Sequence, residues 1–282
     1  MNKGILETLL ELRETVRRHD ELFDQIKEVI SDSEYDEIYR QLEALELAHA
    51  EFYDVNSPTQ KVVTTVVKGL KKVKHTIPML SQDKVHTAEE IRKFCRKGDI
   101  SKGIIISLKL DGLTVVIKFN NGKVSICISR GSGSVGEVIT HTVTHAINLP
   151  KRIPFKGDLE IRGEAIISFK EFERIINELL EQDVAEEDLP KTPRNLASGT
   201  VRSLNGKVAK DRGVQFIAFD TISAEGMDFQ LDTERLEFIK EQGIEVVPYE
   251  VFYNEDDVVN YCLTFADKFR KSLPYPKIGR AH

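Results

Sequence analysis

A lysine, an acid and a glycine follow one predicted strand closely enough to act together. Residues 103–108 (GIIISL) predict a buried β-strand, and Lys109-Leu110-Asp111-Gly112 comes directly after it. A lysine can act as a nucleophile when its amine is uncharged, and glycine lets the backbone turn and approach a ligand closely. Taken alone, the pattern equally fits an edge-strand lysine that pairs with Asp111 beside an ordinary turn.

Three later segments carry charges suited to a phosphate or sugar. Arg130-Gly131 lies in a glycine-spaced loop, and Glu160–Glu164 alternates acid, base and acid along a strand. Arg194 and Arg202 follow, separated by small residues. Arginine binds phosphate oxygens in a bidentate geometry. Each segment alone fits a surface turn or a solvated ion pair, but their occurrence together with Lys109 in this order is hard to attribute to chance.

The elements that must position these residues change in type along the chain. Apolar spacing predicts helices over 3–29 and 34–52, which form a helical hairpin, and residues 1–60 carry a net charge of −9. The remainder carries +3 and reads as hairpin strands with helices between them. This pattern predicts an α+β fold. Strands are expected at 103–108, 113–119, 124–129, 159–167, 214–219 and 245–251, and helices at 88–96, 169–182, 233–241 and 256–271.

Composition excludes several classes of protein. The chain has 282 residues, of which 40% are hydrophobic and 30% charged, with a net charge of −6. These values exclude disordered and collagen-like chains. No apolar run is long enough for a membrane span, and the first residues do not resemble a signal peptide. The three cysteines form no C-x-x-C pair, so we expect a reducing, cytoplasmic setting without a zinc site.

The motifs in this order resemble the N-terminal half of the bacterial NAD-dependent DNA ligases. The resemblance covers residues 1 to about 276. The matching motifs are Asp32-x-x-Tyr35-Asp36, Ser57-Pro58-Thr59-Gln60, His75 through Ser81, Lys109-x-Asp111-Gly112, Arg130-Gly131, Arg162-Gly163-Glu164, Pro193-Arg194-Asn195, Arg202, and Arg270 before Leu273-Pro274-Tyr275.

The resemblance implies a chemistry for Lys109. Its amine would attack the α-phosphate of NAD, expel nicotinamide mononucleotide and form lysyl-AMP. The AMP would pass to the 5′-phosphate of a nick in double-stranded DNA, where the 3′-hydroxyl displaces it. Asp111 is the second implied catalytic residue, and Mg²⁺ is expected because a metal neutralises charge in phosphoryl-group chemistry.

The same resemblance implies which residues bind NAD. The hairpin would hold the nicotinamide mononucleotide half, and Leu80 and Ser81 would line the adenine pocket. Glu164 would face the ribose or the metal, and Arg130 would bind the nucleotide. The full set of implied cofactor-binding residues is Asp32, Ser33, Glu34, Tyr35, Asp36, Leu80, Ser81, Gln82, Ser107, Arg130, Glu164, Arg194, Arg202 and Arg270.

The implied organisation is a hairpin over 1–55 and a nucleotidyltransferase domain over 60–277, with a non-family tail over 278–282. The domain would have mainly antiparallel sheets with flanking helices, as in the ATP-grasp-like ligase fold, and would be incomplete at its C-terminus. Zinc is expected only in the missing C-terminal part. We expect a monomer that binds nicked DNA and no membrane.

Four residues depart from the family pattern. Phe23 and Asp24 stand where a tyrosine and a histidine are usual, Ser107 replaces a glutamate, and Ser132 replaces an aspartate. Two alternatives therefore stay open. One is an adenylyltransferase of the same fold that uses ATP, which the hairpin disfavours. The other is a catalytically silent domain that binds NAD or DNA.

Overall fold

A computed structural model describes most of the chain. The described residues are 2–24, 37–38, 41–42, 44–46, 48–52, 54, 57–60, 70–79, 84–85, 87–269 and 274–280. The expected cofactor-binding residues 32–36, 80–82 and Arg270 lie outside the described residues. No helix among those described combines the length and apolarity that crossing a membrane requires.

The described helices and strands follow one another in a mixed order. The α-helices are α1 (Asn2–Asp24), α2 (Ala88–Cys95), α3 (Thr140–Val143), α4 (Phe169–Glu181), α5 (Pro193–Val201), α6 (Val208–Asp211), α7 (Asp232–Glu241) and α8 (Glu255–Phe269). The strands are β1 (Lys72–Lys74), β2 (Ile104–Leu110), β3 (Leu113–Asn120), β4 (Lys123–Ser129), β5 (Val135–Glu137), β6 (Leu159–Ile166), β7 (Gln215–Ala224), β8 (Tyr249–Phe252) and β9 (Lys277–Arg280).

The chain divides into two compact units, of which the first comprises residues 1–78 and 130–137. In it, Leu9 and Val16 of α1 pack against Leu42, and the described residues 37–38, 41–42, 44–46 and 48 are helical. Arg13 is buried among them and donates to the carboxylate of Glu46 at 2.8 Å. A buried charge is tolerated when it is paired, so this ion pair joins α1 to the helical residues around Glu46.

A short sheet completes the first unit. Strands β1 and β5 pair antiparallel, with Lys72 opposite Glu137 and Lys74 opposite Val135. The turn that leads into β5 begins at Arg130, and His75 follows β1 directly. The pairing therefore brings the end of β1 beside the arginine turn.

The second unit, residues 79–129 and 138–282, holds two sheets. One has the strand order β4-β3-β6-β7 and the other β8-β2-β9, with antiparallel neighbours in both. Leu108 and Leu110 of β2 pack in one core cluster with Ile166 and Ile217 of the larger sheet. Since side chains alternate along a strand, Ser107 and Lys109 lie on the opposite face of β2.

These observations confirm the α+β class with antiparallel sheets, and several elements differ from the sequence-based prediction. The turn at Asn121-Gly122 has φ values of 47° and 73°, as the hairpin prediction requires. The strand predicted over 245–251 begins only at Tyr249, because Pro248 has no N–H to continue a ladder. Sequence reasoning missed α5, although Thr192 and Pro193 are typical of a helix start.

The close contact of Gly163 in β6 with the neighbouring strand β7 generates the first prediction. A Cβ added there would overlap the ring of Phe216 and lie 2.5 Å from the carbonyl oxygen of Ile217. Gly163→Ala should therefore lower the free energy of unfolding by about 1–3 kcal/mol in urea denaturation. Gly98→Ala is the matched control, since nothing lies within 4 Å of the added carbon and a change under about 0.5 kcal/mol is expected. Equal stability of the two variants would show that the β6–β7 contact is looser than described.

Candidate active site

Lys109 is the next-to-last residue of β2, and its side chain is exposed. This corrects the expectation of a lysine at the end of a strand buried throughout, because the alternating pattern buries only Ile106, Leu108 and Leu110. The strand is also not an edge. It pairs with β8 over residues 104–107 and with β9 at Leu108 and Leu110, so the pairing with β9 holds the backbone on either side of the lysine.

Asp111 follows β2 and accepts a hydrogen bond from Arg194 across 83 residues of sequence. The Nη1 to Oδ1 distance is 2.9 Å, and the two side chains are 36% and 16% exposed for Arg194 and Asp111 respectively. Arg194 lies in the first turn of α5, where the Thr192 hydroxyl accepts from the N–H of Asn195 and Pro193 occupies the first helical turn. The helix cap thus fixes the arginine beside the turn that follows Lys109.

Glu164 of β6 is buried and joins the same turn to the larger sheet. Its Oε1 accepts from the backbone N–H of Gly112 at 3.1 Å, and its Oε2 accepts from the Thr114 hydroxyl at 2.9 Å. A side chain does not fit at Gly112, where an added Cβ would overlap the carbonyl oxygen of Ala165. The glycine of the Lys-x-Asp-Gly pattern is therefore required by a close backbone approach.

The electrostatics of Glu164 link all four charged residues. Burial raises the pKa of Glu164 to about 7, although the charges of Arg194 and Lys109 and the Thr114 hydrogen bond oppose that rise. Asp111 acts in the same direction as burial, since a neighbouring negative charge disfavours ionisation. Lys109, Asp111, Glu164 and Arg194 thus form one interacting group.

Ser107 shares the Lys109 face and lies opposite Tyr249 of β8. The Tyr249 hydroxyl donates to Glu237 of α7, and Lys240 Nζ lies 2.6 Å from the same carboxylate oxygen. Lys240 also lies 4.7 Å from the centre of the Tyr249 ring. Ser107, which stands where the resemblance predicts a glutamate, therefore lies opposite a tyrosine whose hydroxyl and ring contact the Glu237–Lys240 ion pair.

The other expected site residues are placed differently. Arg202 is the C-terminal cap of α5 and only 7% exposed, so it presents little surface to a ligand. Arg130 belongs to the first unit, where its carbonyl oxygen lies 3.1 Å from Nε2 of His75.

Sequence reasoning missed Thr114 as a partner of Glu164. The two residues are opposite each other on β3 and β6, a register that no local pattern reveals. It also missed the pairing of Arg162 with Asp220, whose Nη2 to Oδ2 distance is 3.7 Å. Within the described ranges, no group of three or more His, Cys, Asp or Glu side chains is arranged to hold a metal ion.

Two family models match the chain. The NAD-dependent DNA ligase adenylation domain matches residues 67–279, which include all four charged residues of the site. The chain belongs to this family. The DNA ligase-like N-terminal NAD⁺-binding domain matches residues 2–63.

Several curated relatives agree with this assignment. A DNA ligase of Clostridium kluyveri is 38% identical over 90% of this chain and 39% of its own length. DNA ligases of Fusobacterium nucleatum and Thermosipho africanus are 32% and 34% identical, each over 97% of this chain and 40% and 42% of their own lengths. The chain therefore spans about two fifths of the length of these relatives.

The raised pKa of Glu164 generates the second prediction. A carboxyl whose pKa is higher in the folded protein stabilises the fold below its unfolded pKa, and this contribution is lost as pH rises through the folded pKa. Glu164→Gln keeps an acceptor for Gly112 and cannot titrate. The stability of the unmodified protein relative to Glu164→Gln should thus fall between about pH 4.5 and 7, by at most ~3 kcal/mol.

Urea denaturation of both proteins across this pH range measures the difference. A difference that stays constant with pH would contradict the burial of the carboxyl.

Proposed function

We propose that this chain is the adenylation region of an NAD-dependent DNA ligase, with Lys109 as its nucleophile. The observation that carries the proposal is the placement of Lys109 on an exposed face of β2, in electrostatic contact with buried Glu164. Asp111 and Arg194 complete the group through a direct ion pair. The match to the adenylation-domain family covers these residues and supports the assignment.

In the proposed first step, uncharged Nζ of Lys109 attacks the α-phosphorus of NAD. A phosphorus–nitrogen bond forms, the bond to the bridging oxygen breaks, and nicotinamide mononucleotide leaves with that oxygen while the amine loses a proton. The 5′-phosphate of a DNA nick then takes the AMP and regenerates the lysine. Finally the 3′-hydroxyl attacks the activated 5′-phosphate, forms the phosphodiester and releases AMP.

The residues of the second unit have distinct roles in this proposal. Arg194 is half-exposed and held by Asp111, so it can bind a phosphate oxygen without reorienting. Glu164 is fixed by Gly112 and Thr114 and would accept from a ribose hydroxyl at the end of β2. Ser107 would line the same face beyond Lys109.

The remaining contacts with NAD stay predictions from the family resemblance. Residues 32–36 would hold the nicotinamide mononucleotide half, Leu80 and Ser81 the adenine, and Arg130 the nucleotide, with Gln82 as a further cofactor-binding residue. Arg202 and Arg270 fall at family positions near the cofactor phosphates or the DNA backbone. The hairpin over 1–55 and the nucleotidyltransferase domain over 60–277 remain the proposed division. The finer fold is proposed as the ATP-grasp-like ligase arrangement.

Magnesium fits the proposed site as an ion bound partly by the phosphate oxygens of the substrate. Mg²⁺ in phosphoryl-transfer sites keeps several waters and binds through one or two carboxylates together with phosphate oxygens, so no cage of protein ligands is needed. Asp111 and Glu164 supply carboxylates, and the bound ion would neutralise charge on the α-phosphate. Zinc is proposed only for a C-terminal part beyond these residues.

The proposed partner is nicked double-stranded DNA, in a cytoplasmic monomer without membrane contact. The alternative that stays open is an adenylyltransferase of the same fold that uses ATP. The match of residues 2–63 to an NAD⁺-binding domain family supports NAD instead.

The third prediction tests the nucleophile and the donor together. Incubation with NAD should add one AMP to the protein in an intact-mass spectrum, and incubation with ATP should not. Lys109→Arg should abolish the adduct, since a guanidinium stays protonated and cannot attack. Lys102→Arg is the matched control, because Lys102 is an exposed lysine in the turn before β2.

The result separates the three readings. An adduct formed only from ATP would indicate the ATP-using enzyme, and no adduct from either donor would indicate a silent binding domain. An adduct that persists on folded Lys109→Arg would contradict the assigned nucleophile.

A further inference from the structure

We propose that His75 is a positioning residue that holds Arg130 in its NAD-binding orientation. This inference rests on the proposed function, in which Arg130 binds the dinucleotide. His75 does not touch the ligand in this account. It acts through the backbone of the arginine.

The contact between the two residues is direct. His75 is 6% exposed, and its Nε2 lies 3.1 Å from the carbonyl oxygen of Arg130. A carbonyl oxygen only accepts, so Nε2 carries the proton and donates. The imidazole of His75 therefore carries a proton on Nε2, and this N–H points at the main chain of Arg130.

The histidine is itself held from a second direction. Its backbone N–H donates to the carbonyl oxygen of Ser134 at 3.0 Å, directly beyond the β1–β5 ladder. The ring and the main chain of His75 therefore bind opposite ends of the loop over 130–134. Two such bonds from one buried residue fix the loop relative to β1.

The loop has little freedom of its own. The Arg130 carbonyl also accepts from the N–H of Gly133 at 3.0 Å. Gly131 has a φ of 55°, and a Cβ there would overlap the carbonyl oxygen of Val135. Ser132 Oγ accepts from the N–H of Val135 at 3.3 Å. The loop thus has one tight conformation, and the histidine bond sets the peptide plane that follows the Cα of Arg130.

This arrangement lowers the cost of binding. An arginine whose backbone is already fixed loses less conformational freedom when its guanidinium meets an anion. Supporting residues that orient ligand-binding groups have measurable effects on affinity although they never touch the ligand. His75 should therefore affect NAD affinity only while Arg130 is present.

The fourth prediction uses two amide side chains that differ in reach. The longer amide introduced by His75→Gln places an N–H near the position of Nε2, whereas the shorter amide of His75→Asn reaches only the position of Nδ1. Titration calorimetry with NAD should give a dissociation constant within about threefold of the unmodified protein for His75→Gln. For His75→Asn it should rise about tenfold, the expected cost of one hydrogen bond.

Repeating the pair in an Arg130→Ala background completes the test. There, His75→Asn and His75→Gln should bind NAD equally, because the positioned side chain is gone. His49→Asn is the control for a histidine of the same unit whose ring contacts Glu51 and Phe52, and it should leave NAD affinity unchanged. Circular dichroism melting of each variant checks that it is folded.

Each outcome decides the inference. Three results would overturn it. The first is equal NAD binding by His75→Gln and His75→Asn when Arg130 is intact, and the second is a tenfold loss of affinity in folded His75→Gln. The third is the same difference in affinity between the two variants in the Arg130→Ala protein. If His75→Asn does not fold, the His75→Gln result alone decides. Failure of the unmodified protein to bind NAD would overturn the proposed function as well, whereas tight NAD binding without coupling would overturn only the role of His75.

Discussion

One buried carboxylate organises the candidate site. Glu164 of β6 accepts from Gly112 in the turn after β2 and from Thr114 at the start of β3. A buried carboxylate is costly unless it is hydrogen-bonded and close to positive charge, and here Arg194 and Lys109 supply that charge. The strand that carries Lys109, the proposed nucleophile, is thereby fixed together with the turn after it and the larger sheet through one group. Lys109 is therefore exposed, while the strand that carries it and the turn that follows it are held rigidly.

Patterns within short segments predicted the helices and strands that those segments determine by themselves. Short runs of β-branched residues identified β2 and β3, and Asn121-Gly122 identified the hairpin between β3 and β4. The prediction was wrong where one residue acts against the pattern of its neighbours. Pro248 delays to Tyr249 the start of a strand that was predicted to begin at Glu245. Helix α5 was missed because its small residues have no apolar period, although Thr192 caps it.

The site could be predicted only as an order of motifs. The sequence places Asp111, Glu164 and Arg194 far apart, and the resemblance to a family groups them without showing which atoms meet. Their contacts depend on strand register and on the helix start, both of which are long-range features. Lys109 also shows the limit of hydrophobicity as a guide, since a strand of apolar residues still exposes every second side chain when one face is open.

The central claim is that the amine of Lys109 receives the AMP of NAD. A crystal structure of the protein after reaction with NAD tests this most directly. The account predicts continuous electron density from Nζ of Lys109 to the phosphorus of AMP, with Arg194 at the phosphate and Glu164 near the ribose. AMP or NAD bound without a bond to Lys109, or joined to a different residue, would contradict it.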